Sequence, residues 1–228
     1  MACNSGPDII EDGLVLCLDA ANINSYPKSG TTWSDLSGNG NHGALQNMDG
    51  ANFSSDNRGT LSFDGSNEYV IISNFSDYNS DNGTICCWAY YVSGGNKYIV
   101  SAGENGVIGR SRAIGAYNGK WWLVGYGGSD EDWLTSYSTE SNKWTYITYT
   151  WENITNIRIS VNESFSSTIR SGLNTPSGSK LKIGAPAWTN LGDYGYWNGR
   201  AGLVQVYNRA LTADEVRRNY EATVGRYT

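Results

Sequence analysis

The sequence is poor in the residues that most often build catalytic and metal sites. Among its 228 residues there are one His, four Cys and two Met, and charged residues make up only 17%. Because His42 is the single histidine, every Ser-His-Asp or Cys-His arrangement would have to include it. His42 lies in a turn-rich segment, so we expect a loop residue and no catalysis of these types.

The four cysteines, Cys3, Cys17, Cys86 and Cys87, do not have the spacing of a metal site. Cys86 and Cys87 are adjacent in a predicted strand, where their side chains point to opposite faces. We expect buried, reduced thiols, which are typical of proteins made in a cytosol.

Long hydrophobic runs and basic runs are also missing. No run reaches the about 18 apolar residues of a membrane span. With 16 Lys and Arg against 22 Asp and Glu, the formal charge is −6, which disfavours a nucleic-acid partner. Residues 1–8 lack the basic and apolar regions of a secretory signal. We expect neither membrane nor nucleic acid as a partner.

Residues that favour turns and β-structure are abundant instead. The chain has 28 Gly, 26 Ser and 24 Asn, which favour turns and disfavour helices. It has 16 Tyr and 9 Trp against 4 Phe. Tyr and Trp are common in β-sheets, and they suit partly solvent-exposed surfaces because each ring carries a polar group.

Strand-like runs recur at short intervals, separated by clusters of Gly, Asn, Ser and Asp. This spacing predicts an all-β sandwich or jelly roll of two antiparallel sheets. No internal repeat or long linker divides the chain, so we expect one domain over residues 13–228, preceded by a polar arm over residues 1–12. The predicted strands are Leu14–Leu18, Thr60–Phe63, Tyr69–Ser73, Thr84–Val92, Lys97–Ala102, Arg112–Tyr117, Lys120–Tyr126, Lys143–Trp151, Asn156–Val161, Lys180–Ile183 and Ala201–Tyr207.

Three local signals have a defined stereochemistry. Thr212 followed by Glu215 forms a capping box, which predicts one short C-terminal helix over Ala213–Ala222. Asn118-Gly119 predicts a two-residue hairpin turn, because both residues accept positive φ. At Asn162-Glu163 we expect a longer loop, since Glu accepts positive φ poorly.

Four segments in order carry a family resemblance. They are Gly13–Ala20 with Trp33–Gly43, Leu61–Val70, the strand that contains Trp144, and Val206–Thr212. In these segments the chain resembles the concanavalin A-like, laminin-G-type jelly rolls, over about residues 13 to 222. The resemblance implies a two-sheet jelly-roll sandwich. It leaves function open, because this fold hosts lectins, pentraxins, glycosidases, adhesion modules and virion proteins.

The resemblance also bears on metal binding. Calcium-binding relatives often place an acid in the strand before the Tyr-Asn-Arg-Ala-Leu motif, whereas Gly199–Val204 contains none. We therefore expect no cofactor. A structural calcium ion near Asp19 or Asp64 stays open, as does the alternative that both carboxylates accept hydrogen bonds in turns.

Catalysis by the glycosidases of this fold uses a Glu-x-Asp-x-x-Glu arrangement on one strand. The densest acidic cluster here, Asp130-Glu131-Asp132, has a different spacing and follows Gly127-Gly128-Ser129. A solvated loop explains it better than a carboxylate pair. We therefore expect a protein that is not an enzyme.

Aromatic side chains in a Gly-rich segment are candidates for sugar or partner binding. Sugars present C–H faces that stack on Trp or Tyr, and their hydroxyls bond to Asp and Asn. The alternative is that these rings pack over the rim of the sandwich or at an oligomer interface. The candidate residues are Trp188, Asp193, Tyr194, Tyr196 and Trp197, with Trp133 from a second aromatic segment.

Two functions stay open at this point. The first is a virion structural protein of the phage type, a capsid decoration or tail-associated subunit assembled in a host cytoplasm and displaying a lectin-like domain. Its partners would be capsid or tail proteins and surface glycans, with a homo-oligomer open. The alternative is a soluble carbohydrate-binding or adhesion module of a cellular surface system.

Overall fold

A computed structural model describes residues 8–104, 107–125, 132–154, 156–165, 174–187 and 195–228, with the backbone alone for residues 104, 107–110 and 132–134. In this part of the chain, β-strands predominate. The strands are β1 (Leu14–Asp19), β2 (Thr32–Trp33), β3 (Gly43–Gln46), β4 (Phe53–Ser54), β5 (Thr60–Asp64), β6 (Tyr69–Ser73), β7 (Gly83–Tyr91), β8 (Lys97–Glu104), β9 (Val107–Tyr117), β10 (Lys120–Gly125), β11 (Asp132–Ser138), β12 (Lys143–Glu152), β13 (Asn156–Val161), β14 (Ser164–Phe165), β15 (Lys180–Ile183) and β16 (Asn198–Tyr207). One helix follows them, α1 (Ala213–Val224).

The strands form two eight-stranded antiparallel sheets. The back sheet has the order β14-β13-β12-β7-β16-β5-β4, with β1 also paired to β16. The front sheet has the order β11-β10-β9-β8-β15-β6-β3-β2. The predicted all-β sandwich is confirmed, together with all eleven predicted strands. Five strands were not predicted: β2, β3, β4, β11 and β14.

The main core lies between the sheets, and a second core lies behind the back sheet. Strand β7 contributes to both, because its side chains alternate. Ile85, Cys87 and Ala89 pack between the sheets, whereas Cys86 and Trp88 pack under α1. Strand β7 is therefore covered on both faces.

Helix α1 begins where the capping box predicted. Thr212 Oγ1 accepts a hydrogen bond from the Glu215 backbone N–H, and the Glu215 carboxylate accepts one from the Thr212 N–H. The same carboxylate pairs with Arg209 at 2.6 Å. Hydrogen bonding from Arg209 lowers the pKa of Glu215 to about 2. The capping box and the ion pair therefore stabilise the first turn of α1.

After α1 the chain returns to the back sheet. The Tyr227 ring stacks on Trp88 with a centroid distance of 4.4 Å. Arg226 Nη1 donates to both carboxylate oxygens of Asp19, each at 2.9 Å. Both side chains are buried, so this ion pair links the first strand to the last residues of the chain.

The two predicted turns give different outcomes. Asn118 and Gly119 both have positive φ and join paired strands, which confirms that hairpin. Val161 pairs with Ser164, so the loop at Asn162-Glu163 has two residues and the expected longer loop is wrong. Asn162 alone adopts positive φ there (54°), and Glu163 avoids it.

The cysteine prediction is correct for two residues and wrong for a third. Cys86 and Cys87 are free and fully buried. Cys17 is disulfide-bonded. Burial alone does not decide whether a thiol stays reduced, because that depends on whether a second cysteine lies within bonding reach.

The predicted N-terminal arm is partly packed. Ile9 is buried in the back core, and the Ile10 N–H donates to Asn219 Oδ1 of α1 at 2.8 Å. These two residues of the predicted arm therefore pack against the folded domain, and residues 1–7 lie outside the described residues. Within the described residues, no helix has the length and apolar character to cross a membrane.

Candidate functional site

The outer face of the front sheet carries half-buried polar and aromatic side chains. On β6 the inward residues Val70 and Ile72 belong to the main core, and the alternating residues Tyr69 and Ile71 are half-buried on the other face. Strand β15 alternates in the same way. Its inward residues are Leu181 and Ile183, and Lys180 and Lys182 point outward.

Three of these outward residues form what we call the Tyr69 cluster: Tyr69, Tyr196 and Lys182. The rings of Tyr69 and Tyr196 have centroids 6.3 Å apart, and their planes are inclined by 37°. Lys182 Nζ lies 4.9 Å from the centroid of the Tyr69 ring, within range for a cation–π interaction. All three side chains are half-buried, so the cluster combines apolar ring surface with a cation at the protein surface.

The charge of Lys182 has no carboxylate to balance it in the described part of the chain. Burial lowers the pKa of Lys182, and the neighbouring Lys180 lowers it further. Both effects disfavour the charged ammonium in the free protein. A ligand that accepts hydrogen bonds or carries negative charge would reverse them.

Beside the Tyr69 cluster, neighbouring side chains bury a tryptophan, Trp122, on the outer face of the front sheet. The Trp122 ring lies between Tyr98 and Tyr117, with centroid distances of 4.9 and 5.5 Å. Gly115 sits opposite Trp122 on β9, and a Cβ there would meet the ring at 3.2 Å. Trp122 is 1% exposed, and its Nε1 has no hydrogen-bond partner among the described residues.

The connection between β15 and β16 is fastened to this face at both ends. Ser101 Oγ donates to the Ala185 carbonyl at 2.7 Å, and the Tyr98 N–H donates to the Gly195 carbonyl at 2.9 Å. Ala187 packs with Trp122 and Tyr98. The anchored ends of the connection therefore place Tyr196 beside Tyr69.

The predicted site residues fall into three groups. Tyr196 lies in the Tyr69 cluster, where its side chain is half-buried. Trp133 is described by its backbone alone, which pairs with Leu123. Trp188, Asp193 and Tyr194 lie outside the described residues. For these four residues and Tyr196, ligand binding stays a prediction.

Trp197 requires a correction. Its ring is fully buried in the main core, where it stacks on Trp121 at 6.2 Å and contacts Tyr91 at 5.5 Å. A ring without an exposed face cannot stack on a sugar. Because side chains alternate along this extended segment, Tyr196 points outward and Trp197 points inward.

Sequence reasoning missed Tyr69 and Lys182. The signal was present in the alternation of Tyr69-Val70-Ile71-Ile72 and of Lys180-Leu181-Lys182-Ile183, which places Tyr69 and both lysines on outward faces. What the sequence does not give is that β6 and β15 are neighbours, as the Lys182–Ile71 pairing shows.

The Asp-Leu-Ser-Gly-Asn-Gly-Asn-His motif forms a loop that is stabilised by hydrogen bonds to Asp35. Asp35 accepts hydrogen bonds from the backbone N–H groups of Cys17, Ser37 and Asn41 and from the Ser37 hydroxyl. His42 Nδ1 accepts one from the Asp35 N–H at 3.0 Å. His42 is a loop residue, as predicted, and its Nδ1 holds the loop.

The two carboxylates considered for calcium have other partners. Asp19 is paired with Arg226, and Asp64 Oδ1 accepts from the Ser66 N–H at 2.7 Å in the turn after β5. In Gly199–Val204, the segment without the acid of calcium-binding relatives, a Cβ on Gly202 would lie 2.2 Å from the Tyr227 hydroxyl. The described residues contain no cluster of three or more metal-ligating side chains.

The sequence matches the family model of the concanavalin A-like lectin/glucanase superfamily, in its laminin-G-type branch, over residues 64–217. The match covers more than half of the chain, and the chain belongs to this superfamily. A comparison with curated protein sequences gives no significant match.

Solved structures share the fold at low sequence identity. Domain 4 of AbnA, a GH43 extracellular arabinanase from Geobacillus stearothermophilus, in complex with arabinotriose, has a TM-score of 0.69 and 14% identity, over 92% of this chain and 100% of that one. The botulinum neurotoxin serotype D binding domain gives 0.69 and 14%, over 94% of this chain and 53% of that one. Trypanosoma rangeli sialidase in complex with sialic acid gives 0.66 and 18%, over 95% of this chain and 34% of that one.

This chain therefore spans about half of the neurotoxin binding domain and about a third of the sialidase chain. The TM-scores show a shared fold, and what the neighbours bind or cleave is a property of those proteins.

Proposed function

We propose that this member of the superfamily is a lectin-like, carbohydrate-binding domain without catalytic activity, and that it binds sugar at the Tyr69 cluster. The observation that carries the proposal is the half-buried pair of Tyr69 and Tyr196 with Lys182 beside them. This cluster lies on the outer face of the front sheet, whereas α1 covers the back sheet.

The chemistry of the cluster suits a sugar. Tyrosine rings offer flat apolar surfaces to the C–H faces of a pyranose or furanose, and each hydroxyl can donate and accept a hydrogen bond. The Lys182 ammonium offers three donors to ring or hydroxyl oxygens. Two rings inclined by 37° with centroids 6.3 Å apart can contact adjacent parts of one sugar or two consecutive sugars.

The structural neighbours support the proposal by analogy of fold. AbnA domain 4, described in complex with arabinotriose, aligns over its whole length with this chain. AbnA domain 4 and this chain share a fold and a similar length. The chemistry of the proposed site comes from the residues of this chain alone.

The absence of catalysis is part of the proposal. Glycoside hydrolysis requires two carboxyl groups on either side of the scissile bond. The buried carboxylates of Asp19 and Asp35 are each occupied by several donors from the protein itself. His42 Nδ1 is occupied in the same way. The two carboxylates and the Nδ1 atom of His42 therefore serve the fold and are not available as a general acid or base.

A glycan array followed by calorimetric titration tests the binding site. The wild type should bind at least one oligosaccharide class, and Tyr196→Ala should lower the affinity by roughly tenfold, as loss of one stacked ring does. Tyr90→Ala is the matched control, since Tyr90 is a half-buried tyrosine on the back sheet. Equal losses in both variants would contradict the proposed site.

The biological setting that we propose is a virion, with the domain displayed as a capsid decoration or tail-associated subunit, assembled in a host cytoplasm. The support is the resemblance of Gly13–Leu16 and Asp35–Asn41 to laminin-G-type jelly rolls, a fold that virion proteins share with lectins and adhesion modules. Copurification with intact particles at stoichiometric copy number tests it. A protein that is absent from particles would contradict it.

One observation favours the alternative, an adhesion module of a cellular surface system. Cys17 is disulfide-bonded, and disulfides persist mainly in oxidising compartments and outside cells. The alternative predicts that the protein is found at a cell surface or in the medium with this bond intact.

A further inference from the structure

The Tyr69 cluster carries a positive charge, which the binding of a neutral sugar does not require. Lys182 lies two residues from Lys180 on the same face of β15, so two ammonium groups share one outward edge. The chain as a whole carries a formal charge of −6. The Lys182 ammonium at a candidate binding surface is therefore opposite in sign to the net charge of the chain.

The side chains around Lys182 do not neutralise it. Its partner across β6 is Ile71, and its partner across β8 is Ser101, whose hydroxyl donates to the Ala185 carbonyl. Glu68, the residue before Tyr69, accepts from Asn52 Nδ2 and the Asp64 N–H on the side of β5. Within the described residues, Lys182 contacts the Tyr69 ring and pairs with no carboxylate.

We infer that the sugar bound at the Tyr69 cluster is acidic, with its carboxylate paired to Lys182 while its ring stacks on Tyr69 and Tyr196. The inference rests on the proposed function and names the chemical class of its ligand. Hexuronic acids and sialic acids both present a carboxylate next to C–H surface that can stack on a ring. The geometry requires that these two features be within one or two sugar units of each other.

The electrostatics support this assignment. A carboxylate at Lys182 would oppose the repulsion from Lys180 and restore the charge that burial disfavours. A charge-assisted hydrogen bond is shorter and about twice as strong as a neutral one. Partial burial also protects the pair from screening by salt better than full exposure does.

The test compares matched pairs of sugars that differ in charge. The pairs are trigalacturonate with its methyl ester, and sialyllactose with lactose, which separates uronic from sialic acid as the source of the carboxylate. The wild type should bind the acidic member of one pair at least about tenfold more tightly than its neutral partner. This preference should shrink as NaCl is raised from low to high concentration.

Variants at Lys182 assign the preference to one side chain. Lys182→Met should abolish the preference, because the affinity for the acidic sugar should fall about tenfold further than the affinity for the neutral sugar, and Lys182→Arg should retain most of the preference. Lys143→Met, at an exposed lysine on the back sheet paired with Glu140, should change nothing. Thermal unfolding of each variant confirms that it is folded.

The outcomes separate the inference from the function on which it rests. Equal affinity for both members of each pair, or a preference that survives Lys182→Met, would overturn the acidic-sugar inference and leave carbohydrate binding in place. A wild type that binds no member of either pair and no glycan on an array would overturn the proposed function, and the inference with it.

Discussion

Lys182 and Tyr69 are diagonal neighbours on adjacent strands, and the Lys182 ammonium lies 4.9 Å from the centre of the Tyr69 ring. Lys182 pairs directly with Ile71, and Tyr69 is two residues before Ile71 on β6. Diagonal positions of a sheet are about 7–8 Å apart, within reach of a lysine and a tyrosine. The register of two strands far apart in sequence therefore builds the surface proposed to bind sugar.

Substitutions of Tyr69 separate stacking from hydrogen bonding. Tyr69→Phe keeps the ring and should leave glycan affinity within about threefold, whereas Tyr69→Leu removes the flat surface and the cation–π contact and should lower affinity roughly tenfold. Calorimetric titration with the best glycan from an array measures both. A larger loss in the Phe variant than in the Leu variant would show that the hydroxyl dominates and that stacking does not.

Glu215 should make the stability of the protein depend on pH in the acid range. Its pKa in the folded protein is about 2, below the ordinary value of 4.5, because Arg209 donates to its carboxylate. The folded state therefore gains stability from ionised Glu215 above about pH 4.5, and loses this gain as the pH falls toward 2. Glu215→Gln should be less stable than the wild type at pH 7.

Urea unfolding at a series of pH values checks this prediction. The difference in free energy of unfolding between Glu215→Gln and the wild type should shrink steadily from pH 4.5 to pH 2. Glu221→Gln serves as the control, since Glu221 is an exposed residue of the same helix. A difference that stays constant over this range would contradict the role of the Arg209 pair.

The buried pair of Asp19 and Arg226 should show strong coupling. Asp19→Ala leaves Arg226 charged and uncompensated at 8% exposure, and should cost about 3–5 kcal/mol. The double variant Asp19→Leu with Arg226→Met removes both charges and should be more stable than the single variant. A double-mutant cycle from chemical unfolding measures the coupling, and strictly additive effects would refute it.

Gly202 is required because the Tyr227 ring occupies the space of a side chain there. A Cβ on Gly202 would lie 2.2 Å from the Tyr227 hydroxyl, and that ring cannot withdraw because it stacks on Trp88. Gly202→Ala should destabilise the protein by about 1–3 kcal/mol. Gly50→Ala, where a Cβ meets nothing within 4 Å, is the control for the substitution itself.

The free thiols should be inert in the native protein. Burial raises the pKa of Cys86 to about 11 and that of Cys87 further, and neither side chain is exposed. Iodoacetamide should therefore leave both unmodified until the protein is unfolded. Mass spectrometry under non-reducing conditions should also find Cys17 unmodified after unfolding, and alkylated only after reduction. Rapid native labelling of Cys86 or Cys87 would contradict the packing described for β7.

The regular elements of this fold could be predicted because their signals are local. Tyr69–Ser73, Asn156–Val161 and Lys180–Ile183 have the predicted bounds, and α1 begins at the predicted residue. Strands β2, β4 and β14 have two residues each, which is too short for an alternating pattern to show. Their formation depends on neighbouring strands that the local sequence does not specify.

The candidate site was harder to predict because three separate segments build it. Tyr196 was identified by its aromatic, Gly-rich surroundings, but composition could not show that the adjacent Trp197 points into the core. Tyr69 and Lys182 were missed because their meeting depends on the pairing of β6 with β15. The disulfide at Cys17 was missed for a similar reason, since pairing of cysteines is a property of the tertiary structure.

The most direct test of the central claim is to map the bound glycan on the folded protein by nuclear magnetic resonance. Backbone amide shifts are followed while the best-binding oligosaccharide is added to the isotope-labelled protein. Carbohydrate binding at the Tyr69 cluster predicts that the largest shifts in the described residues fall on β6, β15 and Tyr196. Shifts confined to α1 and the outer face of the back sheet, with these residues unchanged, would contradict it.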